Sequence, residues 1–141
     1  MVRVMASGVF DLIHPGHIDY LEQAKSYGDH LTVVIASDST VRKNKHEPVT
    51  PELMRAKIVN SLKPVDDVIV GGEGDMLDTV AKVRPDIIVI GYDQSFDEHE
   101  LEDRIRAKGL GDIKVVRATE CADDLNATRR IVAKIREMGS R

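Results

Sequence analysis

The chain has 141 residues, 42% of them hydrophobic, which is enough for one ordinary globular domain with a buried core. Its net charge of −4 argues against a nucleic-acid-binding protein, because such proteins concentrate lysine and arginine into an excess. The single cysteine, Cys121, excludes an internal disulfide, and no apolar run approaches the roughly 20 residues needed to cross a bilayer. We therefore expect a single domain over residues 1–141, in the cytoplasm, with neither nucleic acid nor membrane as a partner.

Short β-branched runs alternate with helical patterns along the chain. Strands are predicted at Val2–Ala6, Leu31–Ala36, Asp67–Val70, Asp86–Ile90 and Ile113–Val116. Helices are predicted at Gly16–Ser26, Pro51–Leu62, Met76–Val83, Asp97–Lys108 and Ala127–Met138. The runs LTVVIA and DIIVI are apolar at consecutive positions, which is typical of central parallel strands covered on both faces. The alternation predicts an α/β fold, a three-layer, doubly wound, five-stranded parallel sheet of Rossmann-like type.

Two unusual polar stretches follow the first and fourth predicted strands. They are GVFDLIHPGH at residues 8–17 and GYDQSFDEHE at residues 91–100. If these two strands are neighbours in the middle of the sheet, the loops leaving their carboxyl ends face each other across a crevice. The sequence therefore places both stretches where sheets of this type bind ligands.

The histidine pair in GVFDLIHPGH has three interpretations. His14 and His17 could share one face of a helix as metal ligands, with Asp11 nearby, but no further histidine or cysteine follows at zinc-ligand spacing. A single ring could simply satisfy backbone groups in a tight turn, an alternative that is weaker for a pair of rings. We therefore predict no metal site formed by protein ligands alone.

The third interpretation, a phosphate site, uses the whole stretch. Gly8 lets the chain leave the strand, Pro15 suits a first helical turn, and Gly16 lets a ligand approach the backbone. The helix would direct free N–H groups and its positive dipole end at the crevice. His14 and His17 would add N–H donors and titrate near neutral pH. Such donors stabilise charge on an attacked phosphorus and on departing pyrophosphate.

The pattern GxFDxxHxGH resembles the nucleotidyltransferases with an H-x-G-H signature, and the resemblance covers nearly the whole chain. It implies that Val9 and Phe10 lie beside the nucleotide, that His14 and His17 contact the triphosphate, and that Gly16 makes room for the nucleotide. It also implies direct attack of an acceptor phosphate on the α-phosphorus, without a covalent enzyme intermediate. Members commonly pair, so a homodimer is expected.

The basic segment VRKNKHEPVT follows the second strand and is predicted to be a loop over the same rim. A plain solvated loop is one interpretation. The family resemblance favours another, in which Lys43 or Lys45 reaches the phosphates. Arg55, near the start of the next helix, could clamp an anionic acceptor through its planar fork or be an ordinary exposed helix arginine.

Several residues in the second half of the chain are candidates for nucleotide contacts. Asp93 is placed to accept hydrogen bonds from a ribose or a base amine, or else caps its turn. Arg117, Thr119 and Thr128 resemble the nucleotide-contacting end of the family pattern. Asn126 or Thr128 is expected to cap the last helix.

Two sub-families share this pattern, and the departures favour one of them. Cytidylyltransferases acting on small alcohol phosphates show a tryptophan after the fourth-strand glycine and an RTEGISTT run, whereas this chain has no tryptophan and reads RATECADDLNATRRI. GYDQSFDEHEL and DLNATRRI are more similar to the archaeal FAD synthases.

The resemblance to the archaeal FAD synthases implies ATP and FMN as substrates, transfer of AMP to the FMN phosphate with release of pyrophosphate, and a divalent metal ion such as Mg²⁺ with the triphosphate. The alternatives are CTP with glycerol 3-phosphate, and a nucleotide-sensing module without turnover. A flavin ring would need a flat apolar wall, for which Tyr92 and Phe96 are candidates.

Overall fold

The computed structural model describes residues 1–44, 47–72, 74–121 and 128–139. The strands are β1 (Arg3–Gly8), β2 (His30–Ile35), β3 (Asp67–Val70), β4 (Ile87–Ile90) and β5 (Lys114–Arg117). The helices are α1 (Pro15–Ser26), α2 (Asp38–Lys43), α3 (Glu52–Asn60), α4 (Met76–Val83), α5 (Glu98–Ala107) and α6 (Thr128–Gly139). The strands form one parallel sheet in the order β3-β2-β1-β4-β5. The predicted doubly wound α/β fold is confirmed.

The register of the central strands explains where the crevice opens. β1 pairs with β2 along its whole length, up to Gly8 opposite Ile35. Its pairing with β4 ends earlier, at Ala6 opposite Val89. The two strands therefore part after Ala6, and the loops that follow them border an opening at the point where the strand order reverses.

The core has two layers, one on each face of the sheet. Successive side chains of a strand point to opposite faces. Val4 and Ala6 of β1 accordingly belong to one cluster, together with Leu21 of α1. Met5 belongs to the other cluster, together with Leu101 of α5. The sheet is thus covered on both sides, as the continuous apolar runs predict.

The segment after β2 differs from the prediction. Part of the expected loop is the short helix α2, whose N-cap Ser37 accepts a hydrogen bond from the Thr40 N–H (3.2 Å) through its Oγ. The serine cap outweighs the polar composition that indicated a loop. Lys43 is consequently an exposed residue in the last turn of a helix, and Lys45 lies outside the described residues.

In the part of the chain that the structure describes, no helix has both the length and the apolar character needed to span a membrane.

Candidate active site

A cavity of about 760 Å³ lies at the carboxyl ends of β1 and β4. The GVFDLIHPGH loop lines it through Gly8, Val9, Phe10, His14, Gly16 and His17. The predicted contacts Asp93, Thr119 and Thr128 also line it. The sequence patterns thus identified stretches that are distant in the chain and adjacent in space.

The two histidines of HPGH form a reciprocal cap at the beginning of α1. His14 is the N-cap residue, and its Nδ1 accepts a hydrogen bond from the backbone N–H of Gly16 (3.0 Å). The Nδ1 of His17 accepts from the backbone N–H of His14 (3.4 Å). This is a capping box made by two imidazoles instead of a hydroxyl and a carboxylate. The two rings stack with their centroids 3.8 Å apart.

The cap determines which nitrogen of each ring carries the proton. A neutral imidazole has one N–H, and a nitrogen that accepts a hydrogen bond is not that donor. Nδ1 is the acceptor in both rings, so the proton of each neutral ring lies on Nε2. Because His14 and His17 both line the cavity, each has one Nε2–H donor available for a ligand.

The cap also corrects the expectation that the first turn of α1 presents free backbone N–H groups. The N–H of Gly16 donates to His14 Nδ1. The N–H groups of His17 and Ile18 donate to the carbonyl of His14, at 3.0 and 3.3 Å. Pro15 is the exposed first residue of the helix and has no N–H to offer. The imidazoles, rather than the backbone, are therefore the donors of this turn.

Burial keeps both rings neutral at pH 7. Desolvation lowers the pKa of His14 below its usual 6.5. Desolvation, reinforced by the neighbouring His14 and opposed by Asp11, lowers the pKa of His17 to about 4. His17 therefore does not titrate near neutral pH as the sequence predicts, because burial beside a second ring disfavours its charged form.

The Phe10 ring lines the cavity and packs against the ring of His17. Phe10 is 2% exposed, and its ring centroid lies 5.2 Å from that of His17 and 6.2 Å from that of Tyr20. Its backbone has φ 55°, a conformation that residues other than glycine rarely adopt. A Cβ at Gly8 would lie 2.9 Å from the Phe10 ring. Gly8 therefore makes room for Phe10, and Phe10 supports His17.

Tyr20 closes the gap between β1 and β4, a role that the sequence does not indicate. Its hydroxyl donates to the carbonyl of Val89 (2.7 Å) and also approaches that of Ser7 (3.1 Å). Both carbonyls lie where the β1–β4 ladder ends, and buried carbonyls need a partner. The amide Nε2 of Gln94 reaches the same Ser7 carbonyl (3.4 Å). Burial raises the pKa of Tyr20, so its hydroxyl stays a donor.

Asp11 anchors the neighbouring loop. Its carboxylate accepts hydrogen bonds from the Val49 N–H (2.7 Å), the Thr50 N–H (3.0 Å) and the Thr50 hydroxyl (2.6 Å). Its backbone carbonyl accepts from the hydroxyl of Thr128 (2.9 Å). Across residues 1–44, 47–72, 74–121 and 128–139, no three His, Cys, Asp or Glu side chains are grouped to hold a metal.

Arg55 is a buried structural residue, so both sequence interpretations, an anion clamp and an exposed helix arginine, are wrong. It has no exposed surface. Its guanidinium donates to the carbonyls of Val9 (2.8 Å), Ala36 (2.8 Å) and Thr50 (2.9 Å). It also pairs with Asp38 at 2.6 Å, and this hydrogen bond lowers the pKa of that carboxyl. Arg55 thereby joins the loops that follow β1 and β2.

Comparison with known proteins agrees with this geometry. Residues 5–133 match the model of the cytidylyltransferase-like family. The chain belongs to the cytidylyltransferase-like family. It is 54% identical over 136 residues to a protein named FAD synthase from Aciduliprofundum boonei, across 96% of this chain and 91% of that protein. It is 49% identical over 138 residues to a protein named FAD synthase from Thermoplasma acidophilum, across 98% of this chain and 96% of that protein.

Solved structures support the cytidylyltransferase-like fold. A crystal structure titled a lipopolysaccharide core biosynthesis protein, from Thermoplasma volcanium GSS1, superimposes with a TM-score of 0.83 at 50% identity, covering 86% of this chain and 98% of that one. A protein of unknown function from Archaeoglobus fulgidus, at 18% identity and a TM-score of 0.71, shares the fold. The predicted family membership is confirmed.

Arg117 has a different environment from the one that the cytidylyltransferase-like pattern implies. It does not line the cavity. Its guanidinium donates to the carbonyls of Gly91 (3.2 Å), Tyr92 (3.2 Å) and Gln94 (2.8 Å), and also to that of Phe96. The same group pairs with Glu98 Oε1 at 2.5 Å. With these acceptors in place, Arg117 shapes the loop after β4, and its contact with a nucleotide stays a prediction.

The remaining candidates of this cytidylyltransferase-like site divide between the cavity and its surroundings. Asp93 and Thr119 border the cavity beside β4 and β5, and their contact with a nucleotide stays a prediction. Tyr92 also lines the cavity, whereas Phe96 packs against the core cluster on the other face of the sheet. Asn126 lies outside the described residues, and α6 begins at Thr128.

Gln23 is a further residue that the sequence does not reveal. Its Oε1 accepts from the Thr119 N–H (2.9 Å), and its Nε2 donates to the Thr119 carbonyl (3.1 Å). The side chain thus ties α1 to the segment after β5. A polar residue on a helix carries no pattern that distinguishes this role from that of an ordinary surface glutamine.

Proposed function

We propose that the protein is an FAD synthase, which transfers AMP from ATP to the phosphate of FMN and releases pyrophosphate. The observation that carries this proposal is the imidazole pair at the start of α1, facing a cavity at the switch point of a cytidylyltransferase-like fold. The two relatives named FAD synthase, which are 54% and 49% identical to this chain, support FMN as the acceptor and ATP as the nucleotide.

In the proposed reaction, an oxygen of the FMN phosphate attacks the α-phosphorus of ATP. A new P–O bond forms there, and the bond from the α-phosphorus to the oxygen leading to the β-phosphorus breaks. Pyrophosphate leaves with that electron pair. Catalysis of such a step consists mainly of alignment and of stabilising negative charge on phosphate oxygens.

His14 and His17 are suited to that stabilisation. Their Nε2–H groups are donors in the neutral rings, so they bind phosphate oxygens without first taking up a proton. The cap holds both rings by Nδ1 and the Phe10 ring supports His17. Donors that are already oriented cost little reorganisation when charge develops.

The divalent ion is proposed to arrive with ATP as part of the substrate. The carboxylate of Asp11 is engaged by the 49–50 loop, so the triphosphate oxygens would supply most ligands of an ion such as Mg²⁺. A contribution of Lys43 or Lys45 to phosphate binding stays a prediction. Asp93 and Thr119 are proposed to hold the nucleoside.

The test is product formation by the purified protein. Incubated with ATP, Mg²⁺ and FMN, it should yield FAD and pyrophosphate in equal amounts, measured by chromatography and a pyrophosphate assay. Parallel reactions contain CTP instead of ATP, or glycerol 3-phosphate instead of FMN. A preference for CTP with glycerol 3-phosphate would establish the cytidylyltransferase alternative. Absence of pyrophosphate release with either acceptor would favour a nucleotide sensor.

A further inference from the structure

We propose that the isoalloxazine ring of FMN packs against an apolar wall on the side of the cavity away from Asp93. The wall consists of Val9, Val41, Val49 and Val132, which we call the valine wall. This assignment rests on the proposed function and locates the acceptor within the same site.

The aromatic residues expected from the sequence do not supply this surface together. Phe96 belongs to the core on the far face of the sheet. Tyr92 lines the cavity next to Asp93, whose carboxylate would repel the phosphate of FMN. A fused three-ring system presents two broad apolar faces and needs a matching apolar surface. The valines are the side chains that offer one.

A flat ligand bound at the valine wall would cover apolar side-chain surface that is now exposed to solvent. Val9 is 40% exposed and Val49 is 66% exposed, although both border the cavity. Val41 lines the same cavity at 4% exposure, and Val132 of α6 is half-buried. Covering exposed apolar side chains with an apolar ring is favourable in proportion to the area taken from water.

Polar side chains of Arg55 and Asp11 fix the backbone that carries these exposed valines. Arg55 holds the carbonyl of Val9 at 2.8 Å, and Asp11 holds the N–H of Val49 at 2.7 Å. Asp11 also accepts from Thr128, one turn before Val132 on the same face of α6. A surface that is ordered before the ligand arrives loses little entropy on binding.

The charges on the two sides of the cavity also favour this placement. Asp93 is the carboxylate beside β4, whereas Arg129 and Arg136 of α6 line the cavity near Val132. Two carboxylates on the valine side are already engaged: Glu47 pairs with Arg42 at 3.3 Å, and Asp11 accepts from the Val49 and Thr50 N–H groups. Arginine is suited to an anionic phosphate. The flavin and its phosphate would therefore approach from the α6 side and the nucleoside from the Asp93 side.

The experiment uses the double variant Val49→Thr, Val132→Thr in the full chain. Each change keeps the shape of the side chain, replaces one methyl group by a hydroxyl and leaves the net charge unchanged, so phosphate repulsion is not altered. We expect the KM for FMN to rise about tenfold and the KM for ATP to change less than about twofold. Riboflavin, which has the ring without the phosphate, should compete with FMN, and its inhibition constant should rise in parallel.

The control is Ile135→Thr, on the same helix, at a residue that is 58% exposed and does not line the cavity. It should leave all three constants unchanged. A rise in the KM for ATP instead of FMN would place the nucleoside at the valine wall and overturn the proposal. An unchanged inhibition constant for riboflavin would overturn it too. A wild-type protein that makes no FAD would instead refute the proposed function itself.

Discussion

Two helices begin at the cavity, α1 and α6, and they are held in very different ways. α1 begins with a reciprocal cap, and its Leu21 and Ala24 side chains are fully buried. The Tyr20 hydroxyl binds the helix to the sheet. α6 buries none of its described side chains, and the Thr128 hydroxyl bonds its first residue to the Asp11 carbonyl.

The difference suggests a division of labour within the proposed reaction. The triphosphate must be aligned to a fraction of an ångström, and the donors for it lie on the helix that the core holds rigidly. In the proposed arrangement the flavin acceptor contacts α6, a helix with little buried surface. Elements with few buried contacts open and adjust at lower cost.

The largest expected effect comes from removing the buried guanidinium of Arg55, which holds the loop that leads from β1 into α1. Arg55→Met leaves Asp38 and three carbonyls without their donor, and leaving these partly buried carbonyls unsatisfied costs about 3 kcal/mol of the free energy of unfolding. Urea denaturation measures this loss. Arg42→Met is the control, because the Arg42 ion pair is exposed and contributes less than about 1 kcal/mol. Equal losses in both variants would contradict the structural role of Arg55.

The next effect concerns the chemistry. His17→Ala removes one Nε2–H donor and should lower kcat about a hundredfold, as loss of one preorganised donor does. The far-ultraviolet circular dichroism spectrum should stay that of the wild type. His99→Ala is the control, since the His99 side chain is 93% exposed on α5. A near-normal kcat for His17→Ala would remove the phosphate-binding role of the pair.

A feature of the fold or of the site can be predicted from the sequence where the residue type has a single structural role in its local context. Glycine, proline and histidine in GVFDLIHPGH restrict the turn and the chemistry together, so the loop, the start of α1 and the crevice are predictable. The roles of Arg55 and Arg117 are not predictable. The sequence around an arginine on a helix or at a strand end does not show whether its guanidinium binds an anion or a set of backbone carbonyls. Their partners, Val9 and Gly91 among them, are distant in sequence and are brought together by the folded sheet.

The roles of the histidine nitrogens are a second case. HPGH predicts donors near a phosphate, but it does not show that Nδ1 of each ring is used by the cap. That fact decides the tautomer and leaves Nε2 for the ligand. It depends on the extended backbone of His14 (φ −144°, ψ 172°), a conformation that follows from the loop as a whole.

A smaller effect tests the attachment of the two helices directly. Tyr20→Phe removes the hydroxyl from the carbonyls of Val89 and Ser7 and should lower the free energy of unfolding by about 1 kcal/mol. Thr128→Val removes the comparable bond of α6 and should cost less than about 0.5 kcal/mol, because α6 has no fully buried residue among those described. Thermal unfolding compares the two. A larger loss for Thr128→Val would reverse the contrast between the helices.

A further effect is the pH dependence of stability. His17 is neutral in the folded protein down to about pH 4, whereas an unfolded histidine takes up a proton near pH 6.5. Between these values the unfolded chain binds more protons, so the stability that the neutral ring contributes is present above pH 6.5 and is lost as the pH falls toward 4. His17→Gln should therefore lose less stability over that interval than the wild type, by urea denaturation at each pH. His99→Gln, which alters an exposed ring, should follow the wild type. If His17→Gln showed the same slope as the wild type, His17 would have to be charged in the folded state, and its Nδ1 could not serve as the acceptor in the cap.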